Sequence, residues 1–252
     1  MTKTALITGA TSGIGKATAY EFAKHNINLI LCGRRQKRLD AIKKDLENIT
    51  NVYTLCFDVK DKESTFNAIA SLPETFKHID ILINNAGNAH GLDPIHEGNI
   101  DDWDAMMDIN VKGLLYVSKA VIPQMTARKS GHIINVGSSA GKEVYPKGNV
   151  YCGSKHAVLA ITEGMRIDLN PFGIKVSAIN PGAVETEFSE VRFKGDKKAN
   201  DVYKGFDALQ SQDIAEIIYF MVSRPNHVNL ADVLVYPNAQ ANTTIIKKHI
   251  DN

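Results

Sequence analysis

Short apolar segments alternate with longer amphipathic segments along the chain, and this alternation limits the possible folds more than any other feature. Seven apolar runs have the length and composition of buried strands: Ala5–Thr8, Asn28–Cys32, Tyr53–Phe57, Ile79–Ile83, His132–Val136, Lys175–Ile179 and Asp232–Val235. Helical periodicity marks the segments between them: Ile14–His25, Arg35–Glu47, Glu63–Leu72, Asp101–Arg128, Asn149–Leu169 and Asp213–Val222. Apolar strands separated by helices are typical of a parallel sheet covered on both faces. Right-handed crossovers then predict an α/β fold, a doubly wound, Rossmann-like parallel sheet of about seven strands.

The chain of 252 residues is predicted to form a single domain over 1–252, because no linker rich in Pro, Gly or Ser divides it. Two segments lie outside the repeating pattern. Residues 185–205 are polar and predict a long substrate loop, since loops of that length in compact α/β domains are usually functional or mobile. Residues 240–252 predict a tail that either packs against a neighbouring subunit or frays.

Composition excludes several classes of protein. The formal net charge of +1 gives no electrostatic reason to expect nucleic acid or an anionic membrane as a partner. No apolar run approaches the roughly 20 residues that cross a bilayer. Because Met1–Thr4 leads straight into a strand without the pattern of a signal peptide, we expect a cytoplasmic protein. The three cysteines lack the spacing of a disulfide framework or a zinc site, so no metal is predicted.

A glycine-rich turn, Thr8–Gly15, follows the first predicted strand and precedes a helix. Its glycines permit a tight turn and let the backbone approach a pyrophosphate, which would rest on the N-terminus of the helix. A P-loop NTPase is disfavoured, because no Lys-Ser or Lys-Thr pair follows the last glycine. The alternative is an ordinary glycine-rich turn, so this motif alone leaves dinucleotide binding a hypothesis.

The end of the second strand reads Gly33-Arg34-Arg35. Dinucleotide folds that prefer NAD place Asp or Glu there to hold the ribose 2′-hydroxyl. A carboxylate would repel a 2′-phosphate, whereas a guanidinium pairs with it through two hydrogen bonds. The sequence therefore predicts NADP, held by Arg34 and Arg35. The alternative is that these arginines merely begin a solvated helix.

Three polar residues indicate proton-transfer chemistry. Tyr151 and Lys155 lie one turn apart in a predicted helix, and Ser138 follows a predicted strand, where ligands bind in such sheets. A lysine ammonium about 5 Å from a phenol, at an effective dielectric of about 20, stabilises the phenolate by roughly 3 kcal/mol. The oxidised nicotinamide ring adds further positive charge. Tyr151 would then act as a base at mildly alkaline pH and as an acid in reduction, with Ser138 hydrogen-bonded to the substrate oxygen.

These motifs together resemble the short-chain dehydrogenase/reductase family over nearly the whole chain. Asp58 after the third strand, Asn84–Gly87 after the fourth, Asn110 and Pro181-Gly182 also match. The resemblance implies a catalytic tetrad that consists of Asn110, Ser138, Tyr151 and Lys155. In it, Asn110 holds a water that links Lys155 to solvent.

The same resemblance implies contacts with the cofactor beyond the glycine-rich turn. Asp58 would contact the adenine, Asn85 the ribose region, and Val184 and Thr186 the nicotinamide side. With the residues already discussed, the full predicted set is Gly9, Thr11, Ser12, Gly13, Ile14, Gly15, Arg34, Arg35, Asp58, Val59, Asn85, Tyr151, Lys155, Pro181, Gly182, Val184 and Thr186.

Several stretches are similar to one subgroup, the NADP-dependent 3-hydroxy acid dehydrogenases: Gly33–Gln36, Gly148–Tyr151, Thr186–Ser189, Val191–Asp196 and His227–Asn229. This resemblance implies an oxidoreductase of small 3-hydroxy acids such as serine or allo-threonine, assembled as a homotetramer. One alternative is an NADPH-dependent reductase of other small ketones or aldehydes, including sulfonate-bearing ones. Another is an inactive NADP-binding regulator, which the presence of Ser138, Tyr151 and Lys155 disfavours.

A carboxylate substrate needs a cation to meet it. Arg192, in the polar segment after Pro181-Gly182, is the first candidate, and Lys194 is the second. A guanidinium that binds a carboxylate through two hydrogen bonds orients the substrate as well as attracting it. The alternative is that both cations only solvate an exposed loop.

Overall fold

The computed structural model describes residues 2–195 and 202–248. In these residues the strands are β1 (Thr4–Thr8), β2 (Asn28–Gly33), β3 (Val52–Cys56), β4 (Ile81–Asn84), β5 (Gly131–Val136), β6 (Ile174–Pro181), β7 (Val184–Glu185), β8 (Leu209–Gln210) and β9 (Asp232–Val235). Seven of them form a parallel sheet in the order β3-β2-β1-β4-β5-β6-β9, and β7 pairs with β8 in a small second sheet.

Helices cover both faces of the large sheet. The α-helices are α1 (Gly13–Lys24), α2 (Gln36–Leu46), α3 (Lys62–Ala70), α4 (Ile100–Met107), α5 (Leu114–Arg128), α6 (Asn149–Leu169), α7 (Phe188–Arg192) and α8 (Ser211–Ser223). The predicted fold class, a doubly wound parallel sheet with about seven strands, is confirmed. Among the described residues, no helix combines the length and the apolar character needed to cross a membrane.

Strand β1 shows why the strands read as continuous apolar runs. Successive side chains in a strand point to opposite faces, so each face of a doubly covered sheet needs its own apolar residues. Ile7 packs in a core with Phe22 of α1 and Ile218 of α8. Its neighbour Leu6 packs in the opposite core with Val121 of α5. Burying apolar surface on both faces is the main favourable term that holds these layers together.

Most predicted bounds differ from the observed ones by one or two residues, which is the usual uncertainty at the ends of elements. The helix predicted over Asp101–Arg128 is confirmed, but it contains a π-helical turn that was not predicted. The chain there forms α4, then a π-helical segment over Asp108–Gly113, then α5. Hydrophobic periodicity cannot reveal a turn that contains one extra residue. Such turns occur often at functional sites.

The polar segment 185–205 was predicted to be a loop, but its described part contains β7 and α7. Long-range contacts stabilise this structure: the Tyr203 hydroxyl donates to Val184 O at 2.7 Å and accepts from Ser189 Oγ at 2.9 Å. Residues 196–201 lie outside the described residues. The tail from Gln240 to residue 248 folds against its own chain, where Gln240 Oε1 accepts a hydrogen bond from Ala183 N at 2.9 Å. Residues 249–252 also lie outside the described residues.

The ends of β1 and β4 meet where the order of the strands reverses direction. The Thr8 hydroxyl accepts hydrogen bonds from the backbone N–H groups of Asn85 and Ala86, both at 3.0 Å. The Asn85 amide donates to Thr8 O at 2.9 Å. These bonds fix the crevice at the carboxyl ends of the strands, which is where ligands bind in open α/β sheets.

Candidate active site

A cleft of about 590 Å³ runs along the carboxyl edge of the sheet. Gly9 and Arg34 belong to its lining, and so do Ser138, Tyr151 and Lys155. Its volume lies within the range of small-molecule and cofactor sites. The cleft therefore brings together the two groups of residues that the sequence singled out separately.

The glycine-rich turn forms a close-fitting cradle at the start of α1. Gly9 and Gly13 have φ values of +65° and +52°, which residues with a side chain rarely adopt. A β-carbon added at Gly15 would lie 2.5 Å from the carbonyl oxygen of Gly9, so the turn can close this tightly only with glycine there. The free N–H groups at the start of α1 face the cleft, an arrangement suited to a pyrophosphate.

Two arginines follow β2 and line the cleft. Arg34 is largely exposed and its Nη1 lies 3.5 Å from Asp58 Oδ2. The Arg35 guanidinium donates to the Thr11 hydroxyl at 2.8 and 3.0 Å and to the Ser12 hydroxyl at 2.7 Å. The cations are thus placed beside the phosphate cradle, as recognition of a 2′-phosphate requires.

Tyr151 and Lys155 are buried on one face of α6, with 8% and 6% of their surfaces exposed. Lys155 Nζ donates to Val136 O at 3.0 Å, which ties it to the end of β5. Burial lowers the pKa of Lys155 to about 8, so the ammonium form still dominates at neutral pH.

In the chain by itself, the pKa of Tyr151 is raised, whereas the charge of Lys155 alone predicts that it is lowered. Burial is the largest influence and raises the pKa of Tyr151 above its ordinary value, and the phenol of Tyr145 adds to the rise. A hydrogen bond from Ser138 and the positive charge of Arg192 act in the opposite direction. The loss of water around the phenol outweighs the charges that the chain places near it.

Asn110 lies in the π-helical segment and is almost fully buried. Its amide nitrogen donates to Asn88 O at 2.9 Å and to Ser154 Oγ at 3.0 Å, and its oxygen accepts from Asn88 N at 2.8 Å. A β-carbon added at Gly87 would lie 3.1 Å from the Asn110 oxygen and 3.5 Å from Lys155 Nζ. Asn110 and Lys155 therefore flank the same glycine, close to each other.

Most of the other residues predicted to contact the cofactor line the cleft. They are Thr11, Ser12, Gly13, Ile14, Arg35, Asp58, Val59, Asn85, Pro181, Gly182, Val184 and Thr186. Gly15 and Asn110 lie behind this lining. Asn85 has a structural role as well, because its side chain also joins β4 to β1.

The structure brings Arg192 next to Tyr151. Arg192 Nε donates to Gly91 O at 3.1 Å, and Nη1 donates to the Tyr145 hydroxyl at 2.9 Å. The guanidinium carbon lies 5.6 Å from the centre of the Tyr151 ring. Lys194, the second candidate, instead pairs with Asp102 at 3.0 Å and does not line the cleft.

Some residues at the site were not assigned a role from the sequence. Tyr145 holds Arg192, the ring of Phe188 lies 5.7 Å from that of Tyr151, and Glu187 contacts Arg35 and Arg38. Tyr145 lies between Ser138 and Tyr151 in sequence, which could have drawn attention to it. The contact of Glu187 joins residues far apart in the chain and has no local signature.

Comparisons with known proteins agree with this geometry. The short chain dehydrogenase family model matches residues 3–197. The chain is 46% identical over 242 residues to the NADP-dependent 3-hydroxy acid dehydrogenase of Schizosaccharomyces pombe, a match that covers 94% of this chain and 93% of that protein. It is 43% identical over 238 residues to the NADP-dependent 3-hydroxy acid dehydrogenase YdfG of Salmonella typhi, covering 94% and 95%.

A similar solved structure is the closed form of serine dehydrogenase complexed with NADP+. It has a TM-score of 0.92 and 40% identity, and the match covers 96% of this chain and 98% of that one. The chain therefore belongs to the short chain dehydrogenase family, and the resemblance noted in the sequence is confirmed.

Replacing Gly15 with alanine tests how closely the cradle fits. We expect Gly15→Ala to lower the free energy of unfolding by about 1–3 kcal/mol, because the added carbon meets backbone that cannot move without strain. Affinity for a dinucleotide should fall as well. The matched control is Gly164→Ala in α6, where an added β-carbon meets nothing within 4 Å and should leave stability unchanged or improve it. Equal behaviour of the two variants in thermal unfolding and nucleotide titration would show that the cradle is not tight.

Proposed function

We propose that this protein is an NADP(H)-dependent dehydrogenase of small 3-hydroxy acids. The observation that carries the proposal is one cleft lined both by the phosphate cradle with Arg34 and by Tyr151, Ser138 and Arg192. The names of the relatives, NADP-dependent 3-hydroxy acid dehydrogenase and serine dehydrogenase, support it.

The residues of the cleft fit NADP. The cradle at the start of α1 would hold the pyrophosphate, and Arg34 with Arg35 would pair with the 2′-phosphate. In an NAD-specific site, a carboxylate at the end of β2 would repel this phosphate. Here Gly33 occupies that position, so no carboxylate is present. When bound, the cofactor supplies a ring that accepts or donates hydride.

Residues of the protein would transfer the proton that accompanies the hydride. In oxidation the Tyr151 phenolate takes the proton of the substrate hydroxyl, and in reduction the phenol returns it. Ser138 holds the substrate oxygen by a hydrogen bond. Lys155 supplies positive charge behind the phenol, and Asn110 holds a water that connects Lys155 to solvent.

The high proton affinity of Tyr151 in the chain alone fits this role. A buried phenol holds its proton until positive charge arrives beside it. The oxidised form of the cofactor carries such a charge, so Tyr151 becomes a useful base only in the complex that needs one.

Arg192 would anchor the carboxylate of the substrate. Gly91 O and the Tyr145 hydroxyl hold its Nε and Nη1, which fixes the plane of the guanidinium beside Tyr151. Within the described part of the chain, Nη2 makes no hydrogen bond and is available to a ligand. A carboxylate held there would keep the hydroxyl within reach of the phenol.

A homotetramer in the cytoplasm forms part of the same proposal. Large apolar side chains on the outer surface are left exposed, among them Leu115 of α5, Ile167 of α6, Phe220 of α8 and Leu234 of β9. The helices α5 and α6 carry more apolar surface than one sheet face covers, which subunit pairing would bury. Turnover needs a free NADP(H) pool, which the cytoplasm provides.

A panel of substrates tests the proposed function. We expect kcat/KM for 3-hydroxypropionate, 3-hydroxybutyrate, serine and allo-threonine to exceed that for neutral alcohols of the same size. NADP+ should be favoured over NAD+ by about tenfold or more, since one charge-assisted hydrogen bond contributes roughly 1.5–3 kcal/mol. A preference for neutral alcohols or aldehydes would instead identify a general carbonyl reductase, and absence of turnover on every substrate would contradict the proposal.

Replacing Arg192 tests the carboxylate anchor. We expect Arg192→Ala to raise KM for a 3-hydroxy acid by about 10- to 100-fold, because a charge-assisted hydrogen bond is lost. KM for a neutral alcohol should change little. Lys194→Ala is the matched control, a cation removed from the same segment but outside the cleft. Equal increases for acid and alcohol would exclude Arg192 as the anchor.

A further inference from the structure

A bridge of three charged side chains, Arg35, Glu187 and Arg38, adjoins the cleft, and Arg35 and Glu187 belong to its lining. Glu187 Oε2 accepts a hydrogen bond from Arg35 Nη1 at 2.8 Å, and Glu187 Oε1 accepts one from Arg38 Nη1 at 2.6 Å. Glu187 immediately precedes α7, whereas the two arginines follow β2. The bridge therefore joins two elements that are distant in sequence and that both contribute residues to the lining of the cleft.

The arginine side of the bridge is firmly attached to the phosphate cradle. Besides its ion pair with Glu187, Arg35 donates to the hydroxyls of Thr11 and Ser12 in that cradle. Thr186, the residue before Glu187, also approaches the cradle, since its Cγ2 lies 3.4 Å from a β-carbon added at Gly13. Movement of Glu187 away from the arginines would separate the start of α7 from the cradle at this point.

The other side of the bridge carries the residues that cover Tyr151. Helix α7 places Phe188 and Arg192 one turn apart, and both lie against the ring of Tyr151. A helix of only 5 residues is not stable by itself, so its position depends on contacts with the rest of the chain, among them the hydrogen bond from Ser189 to Tyr203. Glu187 supplies the contact at the start, and Arg192 with Gly91 and Tyr145 supplies the contact at the end.

We propose that Glu187 is a positioning residue that closes α7 over the bound cofactor by pairing with Arg35 and Arg38, and so slows release of the cofactor and aligns Arg192 for the substrate. The part that concerns the substrate rests on the proposed function. The part that concerns release of the cofactor needs only that NADPH binds in the cleft.

The bridge can persist when a 2′-phosphate is present. Arg34 is the most exposed of the three arginines and lines the cleft, whereas Arg38 does not line it. The phosphate can therefore pair with Arg34 and share Arg35, while Arg38 keeps its contact with Glu187. Burial alone would raise the pKa of Glu187, but the hydrogen bonds from Arg35 and Arg38 lower it, so the carboxylate is charged at neutral pH.

The expected change in the rate of cofactor release follows from how exposed the two ion pairs of Glu187 are. All three side chains are between 38% and 47% exposed, and single ion pairs of that kind contribute little. Here one carboxylate holds two guanidinium groups, one of which is fixed by the cradle, so the contacts act together. We therefore expect loss of the bridge to change the dissociation rate of the cofactor by a few-fold. This change should become smaller as salt screens the charges.

Release of NADPH, followed by its fluorescence in stopped flow, tests the proposal without any hydroxy acid. We expect Glu187→Gln to raise the dissociation rate about three- to tenfold at low salt. Arg38→Gln should give a similar increase, and the double variant should be no faster than either single one. The matched control is Glu190→Gln, which removes the same charge from an exposed residue of the same helix and should not alter the rate.

Steady-state kinetics with a 3-hydroxy acid give the second readout. Glu187→Gln should raise KM more than it lowers kcat, and Glu187→Asp should recover part of the loss. If Glu187→Gln does not fold, Arg38→Gln removes one of the two ion pairs of the bridge from another element. Release rates of Glu187→Gln equal to those of Glu190→Gln would overturn the proposal. So would slower release, which would mean that Glu187 competes with the phosphate for Arg35.

Discussion

All the residues that we assign to function depend on one constraint, the convergence of parallel strands at a single edge of the sheet. Thr8 ends β1, Asn84 ends β4, and Val136 ends β5, so the turns that follow them meet along one line. Buried apolar faces fix each strand in register, because a shift of one residue would turn its apolar side chains to the wrong face. The strand order by itself therefore brings three groups into one cleft: the cradle, the arginines after β2 and the serine after β5. No contact among these groups is needed to place them there.

For proton transfer, the most important consequence of this architecture is its effect on the pKa of Tyr151. The phenol is buried beside Lys155, and burial raises its pKa, while Arg192 and Ser138 oppose the rise. Because the phenol is buried, a charge that binds beside it acts more strongly than it would in water. The chain alone thus keeps Tyr151 protonated, and under the proposed function the positive charge of the oxidised cofactor makes it a base.

The fold and the centre of the site could be predicted because their signals are local. Alternating apolar and amphipathic segments predicted the sheet, and the spacing of Tyr151 and Lys155 on one helix predicted their shared face. The π-helical segment that carries Asn110 could not be predicted, since the apolar pattern on either side of it is that of an ordinary helix. The short helix α7 was missed because contacts with distant residues such as Tyr203 stabilise it. The rise in the pKa of Tyr151 could not be predicted, because the sequence shows which charges are near but not how much water is lost.

The central claim is that positive charge brought by the oxidised cofactor converts a buried, protonated phenol into a base. Titration of tyrosine labelled with carbon-13 at Cζ, followed by NMR with and without NADP+, measures this directly, and Tyr151→Phe assigns the signal. The phenol of Tyr151 should titrate above the ordinary value of about 10 in the free protein and below it with NADP+ bound. A titration that is the same in both states would contradict the account.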